Sequence, residues 1–178
     1  EKGGEWVKAL EILGLMIQGS IEMNAITFGA AISACEKGGE WAKALGLLRT
    51  IPQDEVETDV ITYSTAISTC DKGGKWGKAL RLLGVMVDDK AEVNTITYNT
   101  AISACAKGRE WEKALGLLGV MVDDKAEVNT ITYNTAISAC AKGREWEKAL
   151  GLLSLMVQDK IEMDTITYNA AVSACEKG

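Results

Sequence analysis

Apolar positions in residues 95–129 fall into two runs with helical spacing. Tyr98, Ala101, Ile102 and Cys105 stand at i, i+3, i+4 and i+7. Trp111, Ala114, Leu115, Leu118 and Met121 follow at i, i+3, i+4, i+7 and i+10. Each run lines one face of an amphipathic helix, so the segment predicts two helices. Lys107-Gly108 parts them, and Gly108 is expected to supply a left-handed cap to the first. The polar run Asp123-Asp124-Lys125-Ala126-Glu127 follows the second. Ile and Thr at the front of the first helix raise a weak strand signal. No stretch alternates with period two for long enough to support it.

The same pattern recurs along the chain. Trp6, Trp41, Trp76, Trp111 and Trp146 step by 35 residues, as do Cys35, Cys70, Cys105, Cys140 and Cys175. A fixed period in this range marks a solenoid, whose units bury their apolar faces only against their neighbours. The frame gives full repeats at 25–59, 60–94, 95–129 and 130–164, with partial repeats at 1–24 and 165–178. The expectation is an all-α, single repeat array over 1–178, each unit a helix–turn–helix. Ala44, Ala79, Ala114 and Ala149 would let paired helices approach closely. The tryptophans sit within the apolar stripe and are expected to fill the gap between hairpins. A base-stacking role for them is the minor alternative. Residues 95–118 and 130–153 are identical.

Composition narrows the chemistry. The chain has no His, which removes Ser-His and Cys-His nucleophile pairs and most general-base schemes. No glycine-rich phosphate loop follows a strand. The segment is expected to be no enzyme and to need no cofactor. Equivalent cysteines in stacked repeats should lie roughly 10 Å apart, too far for a disulfide. Without His or Cys-x-x-Cys, zinc is not expected, and the thiols read as small buried apolar groups. The Asp88-Asp89 and Asp123-Asp124 pairs read as solvated linkers and not as metal sites. No apolar run approaches the ~20 residues that span a bilayer, so no membrane partner is expected. The formal charge of −6 counts against nucleic acid, although local arrangement matters more than the total. Glu1 to Glu5 do not read as a targeting segment, and the chain reads as a fragment open at both ends. Apolar surface at those ends leads one to expect end-to-end self-association.

The string Ile96-Thr97-Tyr98-Asn99-Thr100-Ala101-Ile102-Ser103-Ala104-Cys105-Ala106-Lys107-Gly108, followed by Lys113-Ala114-Leu115 and Met121, resembles the pentatricopeptide repeat. The resemblance runs the length of the chain. It implies a right-handed superhelix of helical hairpins that binds single-stranded RNA, one base per repeat, in a mitochondrion or chloroplast. In that family the residue after Thr-Tyr acts with the last residue of the repeat to choose the base. Carried over, Ser64 with Asn94 resembles an adenine pair. Asn99 with Asn129 resembles a pyrimidine pair leaning to C, and Asn134 with Asp164 a uracil pair. Gly29 leaves Asp59 to select U or G alone, and Asn169 opens the next unit. The implied site is 5′-(U/G)-A-(C/U)-U-3′. Ile26, Ile61, Ile96, Ile131 and Ile166 occupy the base-sandwiching position. Lys37, Lys72, Lys107 and Lys142 match the phosphate-side lysine.

The residues themselves support a groove. Asn99, Ser103 and Lys107 lie at i, i+4 and i+8, away from the apolar stripe, as do Gly29/Ser33/Lys37, Ser64/Ser68/Lys72 and Asn134/Ser138/Lys142. Amides and hydroxyls flanked by lysines suit hydrogen bonds to bases and contacts to phosphates. Each column also has a plainer role: the Ile column covering the helix start, the Lys column facing the helix dipole, and the Asn/Ser column capping. The family's usual Pro before the closing residue is replaced by Met23, Thr58, Val93, Val128 and Met163. Glu22, Glu57, Glu92, Glu127 and Glu162 form an acidic column beside it. Two other readings stand beside RNA binding. One is a protein-binding helical scaffold, which the acidic charge favours. The other is the RNA-positioning part of a larger processing enzyme.

Overall fold

The computed structural model describes residues 5–50, 60–88 and 92–178. The described residues form ten helices and no strand: α1 Glu5–Gln18, α2 Ala25–Lys37, α3 Trp41–Thr50, α4 Val60–Lys72, α5 Trp76–Asp88, α6 Thr95–Lys107, α7 Trp111–Asp123, α8 Thr130–Gly143, α9 Trp146–Gln158 and α10 Thr165–Lys177. First helices begin at residues 25, 60, 95, 130 and 165, a constant step of 35 residues. The chain divides into two compact units, Glu1–Glu92 and Val93–Gly178.

In the second unit α6, α8 and α10 lie side by side as one layer. Helix α7 covers the seam between α6 and α8, and α9 the seam between α8 and α10. In the first unit α2 packs on α4, and α3 bridges them. The predicted stripes are the surfaces that meet. Tyr98, Ala101, Ile102, Cys105, Ala114, Leu118 and Met121 are all buried. Ala44, Ala79, Ala114 and Ala149 are wholly inaccessible, as the close approach of paired helices requires. Four cysteines are buried and Cys175 is exposed. Burial pushes the thiols of Cys70, Cys105 and Cys140 up to about 11, so they stay neutral and apolar.

The turn between paired helices differs from the sequence expectation. Gly108 is right-handed, at φ −76°. The left-handed residue is the next one: Gly39 and Gly74 in the first unit, Arg109 and Arg144 in the second. Each turn is a Schellman closure, with Glu110 N–H donating to the Cys105 carbonyl at 2.9 Å and Glu145 N–H to that of Cys140 at 2.9 Å. The glycine one place earlier has a different cause. A Cβ on Gly38, Gly143 or Gly178 would fall 2.3, 2.4 or 2.3 Å from the indole of Trp6, Trp111 or Trp146. Trp6, Trp111 and Trp146 therefore pack against the turn glycine of the following repeat, and the missing Cβ leaves room for each.

A second tie joins the two ends of a hairpin. The Tyr98 hydroxyl, in the first turn of α6, donates to the Asp124 carboxylate just beyond α7. Tyr133 does the same to Asp159 at 2.5 Å. Burial, then the carboxylate, raises both phenols well above their ordinary value. Hydroxyls also tie the start of a repeat to its own closing linker. Thr95 donates to the Glu127 carbonyl at 3.0 Å, and Thr130 to that of Glu162 at 2.7 Å. Val60 begins its helix without a hydroxyl and cannot make this bond.

Two stability experiments follow from these contacts. Gly143→Ala should cost about 1–3 kcal/mol through the clash with Trp111. Arg144→Gly should gain about 0.5–1 kcal/mol by relieving the left-handed strain. Urea midpoints at constant slope measure both. A raised phenol pKa gives stability that is whole below the unfolded value of about 10 and declines as pH rises above it. Tyr98→Phe should therefore cost about 0.5–1.5 kcal/mol at neutral pH, and the difference from wild type should shrink above pH ~10. Phe28, buried at the equivalent place, shows that the ring packs without its hydroxyl.

Candidate nucleic-acid interface

The first helices put the predicted columns on the one side that the second layer leaves open. Gly29, Ser64, Asn99 and Asn134 lie one turn into their helices and are half-buried. A Cβ on Gly29 would sit 3.6 Å from the Thr62 hydroxyl of α4. Asn169 on α10 is exposed. Lys37, Lys72, Lys107 and Lys142 end their helices in exposed positions, where a cation also complements the helix dipole.

The Ile column does not cover the helix starts as buried packing. Ile26, Ile96, Ile131 and Ile166 are 79%, 71%, 64% and 64% exposed. An apolar side chain repeated at one register and left in water is a surface suited to a flat apolar face. The side chain of Ile61, and Asp59 as a whole, lie outside the described residues.

Capping falls on the closing residues and not on the Asn/Ser column. Asn24, Asn94, Asn129 and Asp164 each accept from the backbone N–H of the threonine three residues on, at 3.1, 2.9, 3.1 and 2.8 Å. The hydroxyls of the same threonines donate to the same oxygens at 3.1, 2.9, 3.1 and 2.9 Å. Asn129 and Asp164 complete capping boxes, their own N–H groups donating to Thr132 and Thr167. The Thr167 backbone N–H is the main reason the Asp164 carboxyl titrates below its ordinary value, and the Thr167 and Asn134 side chains add to it.

Among the described residues, and within one unit, one predicted pair meets directly. Asn134 Nδ2 donates to Asp164 Oδ1 at 3.1 Å. Asn99 and Asn129 share no bond, and Ser64 and Asn94 fall in different units. The side-chain oxygens of Asn99 and Asn134 are buried without a partner. A buried acceptor without a donor costs free energy, so its neighbourhood is not arranged for stability alone. The sequence reading missed the threonines at the third helical position, Thr97, Thr132 and Thr167, which are buried and hold the closing residues. In the sequence they stand out only as part of a weak strand signal at the helix start. Glu22, Glu92, Glu127 and Glu162 are exposed beside the closing residues, whereas the Glu127 and Glu162 carbonyls accept from Thr95 and Thr130 at the start of the same repeat. Among the described residues no cluster of acidic or thiol groups could hold a metal ion. None of the helices is long and apolar enough to cross a membrane.

Family models place this architecture. The PPR repeat family matches residues 58–107, 93–142 and 128–177, and the PPR repeat matches 26–56. The chain belongs to the pentatricopeptide repeat family. Among solved structures it is similar to the pentatricopeptide repeat protein PPR10 from maize, at 25% identity and a TM-score of 0.73, over 98% of this chain and 25% of that one. It is also similar to PPR10 in complex with an 18-nt psaJ RNA element, at 23% identity and 0.70, over 85% and 22%. A third likeness is to the PPR domain of Arabidopsis thaliana protein-only RNase P 1 in complex with tRNA, at 16% and 0.70, over 82% and 77%. The chain thus spans about a quarter of the length of PPR10. No curated protein matches the sequence.

The two columns should separate in stability measurements. Asn129→Ala removes a cap and should cost about 1 kcal/mol. Ile131→Ala should stay within ~0.5 kcal/mol of wild type, because the side chain stands in water. A loss at Ile131 as large as that at Asn129 would return the Ile column to packing.

Proposed function

We propose that this chain binds single-stranded RNA, each repeat selecting one base, and that it serves organellar RNA processing, stabilisation or translation in a mitochondrion or chloroplast. The observation that carries the proposal is the exposed Ile column beside amides whose oxygens lack partners. The apolar side chains offer faces for bases to lie against, and the amides offer edges to read them. Gly29 with Asp59, Ser64 with Asn94, Asn99 with Asn129 and Asn134 with Asp164 select the bases, and Asn169 opens a further position. Lys37, Lys72, Lys107 and Lys142 contact phosphates. Relatives with the same fold have been solved with an RNA element and with tRNA, which supports RNA as the partner. The array positions the transcript and contributes no catalytic step of its own.

A protein partner is the second reading. The pairs Val120/Val122 and Leu155/Val157, exposed near the ends of α7 and α9, favour it.

Affinity for an RNA containing UACU, against a scrambled RNA across a salt series, tests the proposal. Four lysine–phosphate contacts give an expected log–log slope of about −2.8, at roughly −0.7 per phosphate on a single strand. A flat slope without sequence preference would sink the RNA reading and leave the protein partner in its place. Asn134→Thr should change preference at the last base alone.

A further inference from the structure

We infer that Thr97 and Thr132 are positioning residues for base selection: each fixes which atom of the asparagine before it, Asn94 or Asn129, is left to meet a base. The inference rests on the RNA reading above and adds a residue to it. An asparagine side chain carries an acceptor oxygen and a donor nitrogen, and a free amide presents either by turning over. Asn129 cannot turn freely. Its Oδ1 accepts from both the backbone N–H and the hydroxyl of Thr132, at 3.1 Å each. Turning the amide over would set a nitrogen donor against two donors. Asn94 is held in the same way by Thr97. The threonines are fully buried, so the lock is not exchanged with solvent.

The atom left over is the nitrogen, and it makes no hydrogen bond to the described residues in either asparagine. In repeat 95–129 the Asn99 oxygen is also turned inward. Both amides of this repeat are therefore left with donors to offer. The Watson–Crick edge of cytosine carries adjacent acceptors, N3 and O2, and matches them. Uracil sets an N3–H donor in the same place and meets like with like. The next repeat works differently. Asp164 is also held through Oδ1, by Thr167 and by Asn134. A carboxylate has no nitrogen to turn, and its second oxygen accepts whatever Thr167 does. That oxygen matches the N3–H of uracil.

The two repeats make an internal control. The test uses the full chain and four-base sites that differ only at the third or the fourth base. Wild type should prefer C over U at the third base. Thr132→Val keeps the buried shape and removes the hydroxyl, and should reduce that preference by about five- to tenfold, the worth of one hydrogen bond. Thr132→Ser should restore it. Thr167→Val should leave the fourth-base preference within about twofold, because the closing residue there is a carboxylate that presents an oxygen whichever way it turns. Equal losses at both positions would mean that the threonines only hold the helix starts, and would overturn the inference. An unchanged third-base preference in Thr132→Val would overturn it too. Should Thr132→Val not fold by circular dichroism, Thr97→Val carries the same test to the second base, read as loss of preference for A over G. A wild-type chain with no base preference would instead bring down the RNA reading itself.

Discussion

Helix α8 is buried on its stripe against second helices and flanked on both sides by other first helices, and the rest of its unit follows from that confinement. In α8 the stripe Tyr133, Ala136, Ile137 and Cys140 is closed off by α7 and α9, while α6 and α10 lie alongside. Burying side chains such as these contributes roughly 1.5–3 kcal/mol for each large one. A lone hairpin has no such partners and could not recover the entropy of folding. Only one side of the first helix remains open, and all polar variation among repeats has to appear there.

That confinement explains why small residues matter as much as large ones. Alanine at 44, 79, 114 and 149 sets the spacing of paired helices, and the turn glycine sets the spacing of successive hairpins by admitting a tryptophan. Packing at crystal-like density leaves no room for a methyl at either place. The left-handed residue beyond the glycine is under no such crowding, which is why Gly and Arg both occur there. Arginine pays a backbone cost, but its Schellman bonds keep the carbonyls at the helix end satisfied.

The open side carries two kinds of group in one small space. The closing residue of a repeat begins the next helix as its cap, and it also stands beside the amide of its own repeat. In Asp164 a single oxygen does both, capping α10 through Thr167 and accepting from Asn134 at 3.1 Å. The acidic column lies in the same linker, and two of its backbone carbonyls accept from the threonine that starts the same repeat. The linker's charge and its structural use are thus separate properties of the same residues.

Much of this was legible in the sequence, because a 35-residue period imposes the same environment on every equivalent residue. Helix starts, buried stripes, the alanine column, the buried cysteines of the interior repeats and the solvated lysines could all be read from spacing alone. Two roles could not. The assignment of Gly108 as the left-handed cap failed because glycine serves backbone freedom and close approach alike, and only the indole on equivalent glycines separates them. Capping was weighed for the Asn/Ser column when it belongs to Asn94, Asn129 and Asp164, five residues earlier. Both columns repeat with the same period, so periodicity does not separate them and hydrogen-bond geometry does. The sequence by itself determined which residues share an environment. The tertiary structure decided which atom of each residue is spent on the fold and which remains for a partner, because that depends on distances of about 3 Å between residues whose types the period leaves unchanged.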